Sequence, residues 1–279
     1  MTAVAWPAQL DLATGLAQLA EQVQEWPGLG RRAPGPLRLI VVPDAAGLQA
    51  VTRGRAPAWG AAVADPGQRT IVLRADAGDP AAVLRHELAH LVLRGVVSTR
   101  LPLWFDEGYA TWAANGWDAL DAARLHLAVL RGGAPGLDAL DAQLRGSESE
   151  AGTAYLLAAS AVLEVARRVP GGRLDPLLAR LARGEAFPEA LEAATGLAPD
   201  RFDEAWRQAL RSRYGGLLWA VGFLGWLVVA VAVVVAARTR RGRDAPRRAA
   251  LDAGWDVSED EPELPPPPAD PLDPTGRLR

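Results

Sequence analysis

The sequence predicts an α+β fold: a small, mostly antiparallel sheet beside one long helix, a helical C-terminal half, and a transmembrane helix near the end. Three observations predict it. Strand-like runs cluster between Leu37 and Leu73, helical periodicity takes over from Pro80, and residues 217–237 read LLWAVGFLGWLVVAVAVVVAA, 21 positions without a charge.

Residues 1–36 are expected to form an N-terminal helix and a linker. Leu10, Leu12, Leu16, Leu19, Ala20 and Val23 make an amphipathic stripe that ends at Trp26-Pro27-Gly28, and a Gly/Pro/Arg-rich stretch runs on to Pro36. Leu37–Val42 is an apolar run suited to a buried strand. Ala61–Ala64 and Thr70–Leu73 suggest an antiparallel pair around the turn Asp65-Pro66-Gly67. In Pro80–Leu93 the apolar residues Val83, Leu84, Leu88, Leu91 and Val92 follow a helical period. Leu101-Pro102 breaks the pattern, and helices are expected over 104–116, 117–131, 151–169, 173–183, 186–195 and 200–213, with 131–149 a surface loop. Residues 37–214 thus form one domain, long enough to bury a sizeable core.

Rising about 1.5 Å per residue, a helix of the length of 217–237 matches a hydrocarbon core of about 30 Å. Its apolar character goes all the way round, and Trp219 and Trp226 lie toward one end. Arg238, Arg240, Arg241, Arg243, Arg247 and Arg248 follow it, against Arg201, Arg207, Arg211 and Arg213 before it. That bias places the C-terminal tail in the cytoplasm and the preceding domain outside, on a bacterial cell membrane crossed once. The first thirty residues carry no basic-then-apolar leader, so export implies a signal peptide missing from this start; a domain tethered to the inner face is the competing arrangement. The tail, 238–279, is basic and then acidic. Its last 31 residues hold eight acids and seven prolines, including Pro265–Pro268, and are expected to be disordered.

Composition excludes several classes. With no cysteine there are neither disulfides nor thiolate-held metals. A formal net charge of −3 leaves no basic face for nucleic acid.

The chemistry concentrates in two short motifs. His86, Glu87 and His90 form HExxH on the Pro80–Leu93 helix, using two of the three histidines, and Glu107 in WFDEG follows seventeen residues after His90. Four-residue spacing puts both imidazoles on one helix face, where they can grip a single ion, and Glu87 is placed to take a proton from water. The third ligand is expected to be Glu107, with Asp106 as its rival. Gly108 would let the second helix come close. Tyr155 is the expected donor to a developing oxyanion, with His126 as the alternative, and Tyr109 is assigned to packing.

VLRHELAHLV followed by PLWFDEGYATW resembles the gluzincin metallopeptidases, the HExxH-plus-Glu group, and among them the bacterial peptidase MA-like domains, over roughly residues 37–214. The resemblance implies one zinc ion on His86, His90 and Glu107, with Glu87 as general base in peptide hydrolysis. It also implies an edge strand that aligns extended substrate, expected at Thr70–Leu73. Two departures stand out. Where thermolysin-type sequences carry a histidine-orienting Asp four residues after the glutamate ligand, this chain has Thr111, which leaves the support of the ligands open. Gly60–Ala64 holds no acid to anchor a free amine, which favours an endopeptidase over an aminopeptidase. The expected function is therefore a membrane-anchored zinc metallopeptidase acting on peptides or proteins. The alternative is a catalytically weak membrane-bound binding or scaffold protein that keeps the zinc fold.

Overall fold

A computed structural model describes residues 1–115 and 119–253. The chain divides into two compact units, Met1–Leu217 and Leu218–Arg279.

The first unit is α+β. Its four-stranded sheet has the order β1-β4-β6-β5, from β1 (Thr2–Ala5), β4 (Arg38–Val42), β6 (Thr70–Arg74) and β5 (Ala62–Asp65). The sheet is mixed rather than mostly antiparallel. β1 runs parallel to β4 and β4 parallel to β6, and only β5 and β6 pair antiparallel. The cause lies in the connections: helix α1 (Leu10–Glu21) separates β1 from β4 and helix α2 (Ala45–Thr52) separates β4 from β6, and such crossovers return the chain in the same direction. Neither β1 nor α2 is legible from periodicity. The stretch expected as a linker supplies a hairpin, β2 (Gln24–Trp26) and β3 (Gly30–Arg32). The Arg69 side chain then ties 34–36 down by donating to the carbonyls of Pro34 and Pro36.

Alternation along the strands sorts the two faces. Leu39, Val41, Ile71 and Leu73 are fully buried in the main core together with residues of α1 and of α3 (Pro80–Val96). The opposite face carries Ile40, Val42, Val63 and Val72, which form a second, smaller cluster under Leu48 and Val51 of α2.

The helical half follows expectation in most elements, with one helix more among the described residues. α4 (Leu103–Asn115), α5 (Ala119–Gly132), α7 (Glu148–Arg168), α8 (Asp175–Ala182) and α9 (Phe187–Thr195) match expected helices, while α6 (Leu137–Leu144) occupies the expected surface loop. α6 has work in the fold: the Asp141 carboxylate accepts from the backbone N–H groups of Leu103 (3.2 Å) and Trp104 (2.6 Å), capping α4 from outside its own chain segment. Trp104 then packs among Phe105, Phe187 and Phe202, its ring stacked on that of Phe202 at 6.0 Å between centroids. At the end of α7, the buried Glu164 carboxylate accepts from Arg168 (2.9 Å) and Arg213 (2.8 Å).

α10 runs from Pro199 to Ala253, so the helix expected to end at 213 continues through the basic stretch after 238 and into 249–253, where disorder was expected. In the second unit Trp226, Leu227 and the valines from Val228 to Val235 are exposed. Among the described residues no helix is long and apolar enough to cross a membrane. The side chains of 214–224 are outside the described residues, so of the expected span 217–237 only its C-terminal part, 225–237, bears on that statement. The acidic, proline-rich tail from 254 onward also lies outside the described residues.

Gly108 sets the spacing of the helical half. A Cβ there would lie 2.4 Å from the backbone oxygen of Ala158 and 2.9 Å from Val162 Cγ2, so α4 presses directly on α7. The close approach that the sequence suggested is real, but its partner is α7 rather than the motif helix. Gly108→Ala is expected to lower stability by about 3 kcal/mol or more, read as a drop in the thermal unfolding midpoint, because a backbone carbonyl cannot rotate out of the way.

Candidate metal centre

The site forms where α3 and α4 lie side by side. α3 starts cleanly: Asp79 caps it by accepting from Ala81 N (3.0 Å) and Ala82 N (3.2 Å), and Pro80 occupies the first turn, where no N–H is needed. Leu84, Leu88, Leu91 and Val92 bury one side of it. That fixes the rotation of the helix about its axis, and His86 and His90 emerge together toward α4.

The three expected ligands converge. His86 Nε2 and His90 Nε2 are 3.2 Å apart, Glu107 Oε2 lies 3.2 Å from His86 Nε2, and it lies 3.5 Å from His90 Nε2. All three side chains are partly buried. Two ring nitrogens and a carboxylate oxygen held this close oppose one another unless a proton or a cation sits between them. The group could hold a metal ion.

Electrostatics tell the same story. Burial works against charge on His90, but the Glu107 carboxylate and the hydrogen bonds His90 donates to Asp106 and Glu107 outweigh it and hold the imidazole pKa well above its usual value. Burial likewise disfavours the Glu107 anion, yet the two imidazoles overcome it and pull its pKa far down. The site demands positive charge at its centre.

Asp106 is the residue that the sequence placed in the wrong role. Its Oδ1 lies 3.0 Å from His90 Nδ1, on the far side of the ring from the cluster, so it cannot join Glu107 as a ligand. Instead it accepts the Nδ1 proton and leaves the Nε2 lone pair facing the other donors. Arg94, one turn beyond His90 on α3, donates to the other Asp106 oxygen through Nε (3.1 Å) and its terminal nitrogen. Burial raises the Asp106 pKa, but His90 and Arg94 more than offset this and hold it low. An acidic residue immediately before the glutamate ligand is the signal that could have found this role. The support left open by Thr111 comes from the preceding turn; the Thr111 hydroxyl is buried and has no hydrogen-bond partner among the described residues.

Glu87 is buried and is not part of the donor triangle. Its carboxyl pKa is raised, first by burial; the two imidazoles and a hydrogen bond from the Ala64 backbone pull the other way. That hydrogen bond locates the free edge of the sheet. β6 lies between β4 and β5, with both sides paired, so the strand expected to present an open edge, Thr70–Leu73, has none. The edge on this side of the sheet is β5, and β1 forms the opposite edge. Arg74 N donates to Ala61 O across the β5–β6 pair, and alternation along an antiparallel ladder then turns the N–H and C=O of Ala62 and Ala64 outward.

Tyr155, on α7, stands edge-on to His86 with 5.8 Å between ring centroids. Burial first, then the nearby Glu107 and Glu87 carboxylates, push its hydroxyl pKa up, so it stays a protonated donor. His126, on α5, is not in the cluster. Tyr109 packs in the core, and its hydroxyl donates to Pro27 O at 3.1 Å, tying the N-terminal hairpin to α4.

Removing the Asp106 carboxylate tests the orienting role. Asp106→Ala is expected to keep metal stoichiometry while weakening affinity by about 10- to 100-fold, measured by competition with a chromogenic chelator. Unchanged affinity would show that the His90 ring is held by packing alone.

No family model matches the chain, and no curated protein matches it.

Proposed function

We propose that this chain is a gluzincin-type zinc metallopeptidase of the peptidase MA-like kind, anchored in a membrane, that hydrolyses internal peptide bonds. The observation that carries the proposal is the convergence of His86 Nε2, His90 Nε2 and Glu107 Oε2, 3.2 to 3.5 Å apart, with the buried Glu87 beside them. Donors about 2.0–2.1 Å from a tetrahedral ion are separated by about 3.3 Å, so the triangle fits zinc bound by two imidazoles and one carboxylate. Three protein ligands among the described residues match the pattern of a catalytic site.

Zinc bound there supplies Lewis acidity, which makes water nucleophilic near neutral pH and polarises a carbonyl. The protein's own groups do the rest. Glu87, its pKa raised by burial, accepts the proton of the attacking water and returns it to the leaving amine. Tyr155 donates its hydroxyl hydrogen bond to the oxygen that gains charge. With Ala64 N–H committed to Glu87, the N–H and C=O of Ala62 and the C=O of Ala64 remain on the β5 edge to pair with an extended peptide. Asp106 and Arg94 keep His90 in the tautomer that binds metal.

Anchoring rests on the charge-free run 217–237, the unbroken helical backbone across it, and the exposed apolar side chains of its C-terminal part. The arginine excess after the run places the tail in the cytoplasm and the metal centre outside.

Glu87→Gln is expected to reduce cleavage of a fluorogenic peptide mixture by about 10²-fold or more while zinc stoichiometry stays the same. Glu107→Ala is expected to lose the zinc itself. Equal inactivity of the wild-type protein and Glu87→Gln, both zinc-loaded, would instead establish the scaffold reading. The full chain is expected to remain with membranes through alkaline carbonate washing and to be released by detergent; release by carbonate would overturn the anchor.

A further inference from the structure

A second cavity lies on the face of the sheet turned away from α3. It measures about 340 Å³, within the lower part of the range of roughly 300–1,000 Å³ typical of small-molecule sites. α2 packs Leu48 onto this face beside Val42 and leaves part of it open. The floor is apolar, made by Ile40, Val63 and Val72 of three neighbouring strands and by Val51 of α2.

Two cations line the same cavity, Arg38 from the start of β4 and Arg55 from beyond the end of α2. Neither makes an ion pair among the described residues. Arg55 Nε donates to Thr52 O at 3.1 Å, which holds its guanidinium beside the cavity while the terminal nitrogens stay available. The one acid in the lining, Asp65, is engaged in the β5–β6 turn, where Oδ1 accepts from Gln68 N at 3.0 Å. An apolar floor with two uncommitted guanidinium groups complements a ligand that has an apolar body and an anionic head.

We propose that this cavity binds a small carboxylate amphiphile of the medium-chain fatty acid class, its chain on Ile40, Val51, Val63 and Val72 and its carboxylate between Arg38 and Arg55. None of these residues takes part in the metal centre, so the site stands or falls independently of the peptidase reading.

The test is equilibrium dialysis of radiolabelled octanoate against the full chain in lipid nanodiscs, with empty nanodiscs giving the partitioning background. The expected result is a saturable component of one octanoate per chain. It should weaken at least tenfold in Arg38→Gln/Arg55→Gln, and octanamide, which keeps the chain and loses the charge, should compete at least tenfold less well than unlabelled octanoate. An unchanged thermal unfolding midpoint in the double variant shows that it is folded; should the midpoint collapse, the octanamide comparison on wild-type protein decides. Binding no greater than to empty nanodiscs, saturable binding that survives in the folded double variant, or equal competition by octanamide would each overturn the proposal.

Discussion

The molecule is organised around an electrostatic conflict: three electron-rich donor atoms, on two helices, are held within 3.5 Å of one another in a partly buried setting. Left alone they would separate, because the ring nitrogens and carboxylate gain nothing from facing each other without a positive centre. What holds them is the packing of α3 and α4, and each helix is fixed by contacts well away from the donors. The rotation of α3 is set by its buried leucine and valine side and its start by the Asp79 cap. The start of α4 is fixed by Asp141, and its depth by Gly108 against Ala158. A centre of this kind is preorganised: the cost of bringing the ligands together is met by folding, and a cation relieves the repulsion that remains.

Around this triangle the charges are layered. Arg94 holds Asp106, Asp106 holds His90, and His90 faces the other two donors, so a chain of hydrogen bonds runs from the surface inward and ends on a single lone pair. Glu87 sits differently. It is buried enough to hold a raised pKa, yet a backbone N–H from the sheet edge orients it, which joins this carboxyl and the open strand in one construction. A mixed sheet makes this possible, because the single antiparallel pairing puts β5 on the outside next to α3 while the parallel crossovers bury β4 and β6.

Much of the candidate site was legible because its signal is local. Residues four apart on a helix must share a face, so HExxH names two donors without any tertiary knowledge, and the short distance to an acidic turn suggests the third. The long charge-free run and the helical periods of the C-terminal half are equally local. Asp106 shows where this ends. Asp106 and Glu107 are neighbours of the same charge type at the start of one helix, and sequence can rank them as ligands but cannot tell which side of the His90 ring each will meet. That is decided by a rotation of α4 of about 100° per residue, fixed by its packing on α3 and α7.

By itself, then, the sequence determined which residues could carry charge, grip a metal and move a proton, because helical spacing and side-chain chemistry are properties of a single segment. Only the tertiary structure decided that β5 rather than β6 is the edge strand beside the site, that α7 rather than α3 needs Gly108, that Asp141 caps a helix 37 or 38 residues away, and that a cavity lined by two arginines with no ion pair among the described residues lies behind the sheet. Each of these is a choice of partner between segments distant along the chain. Such choices follow from how all the buried faces fit together at once, and no window along the sequence contains that information.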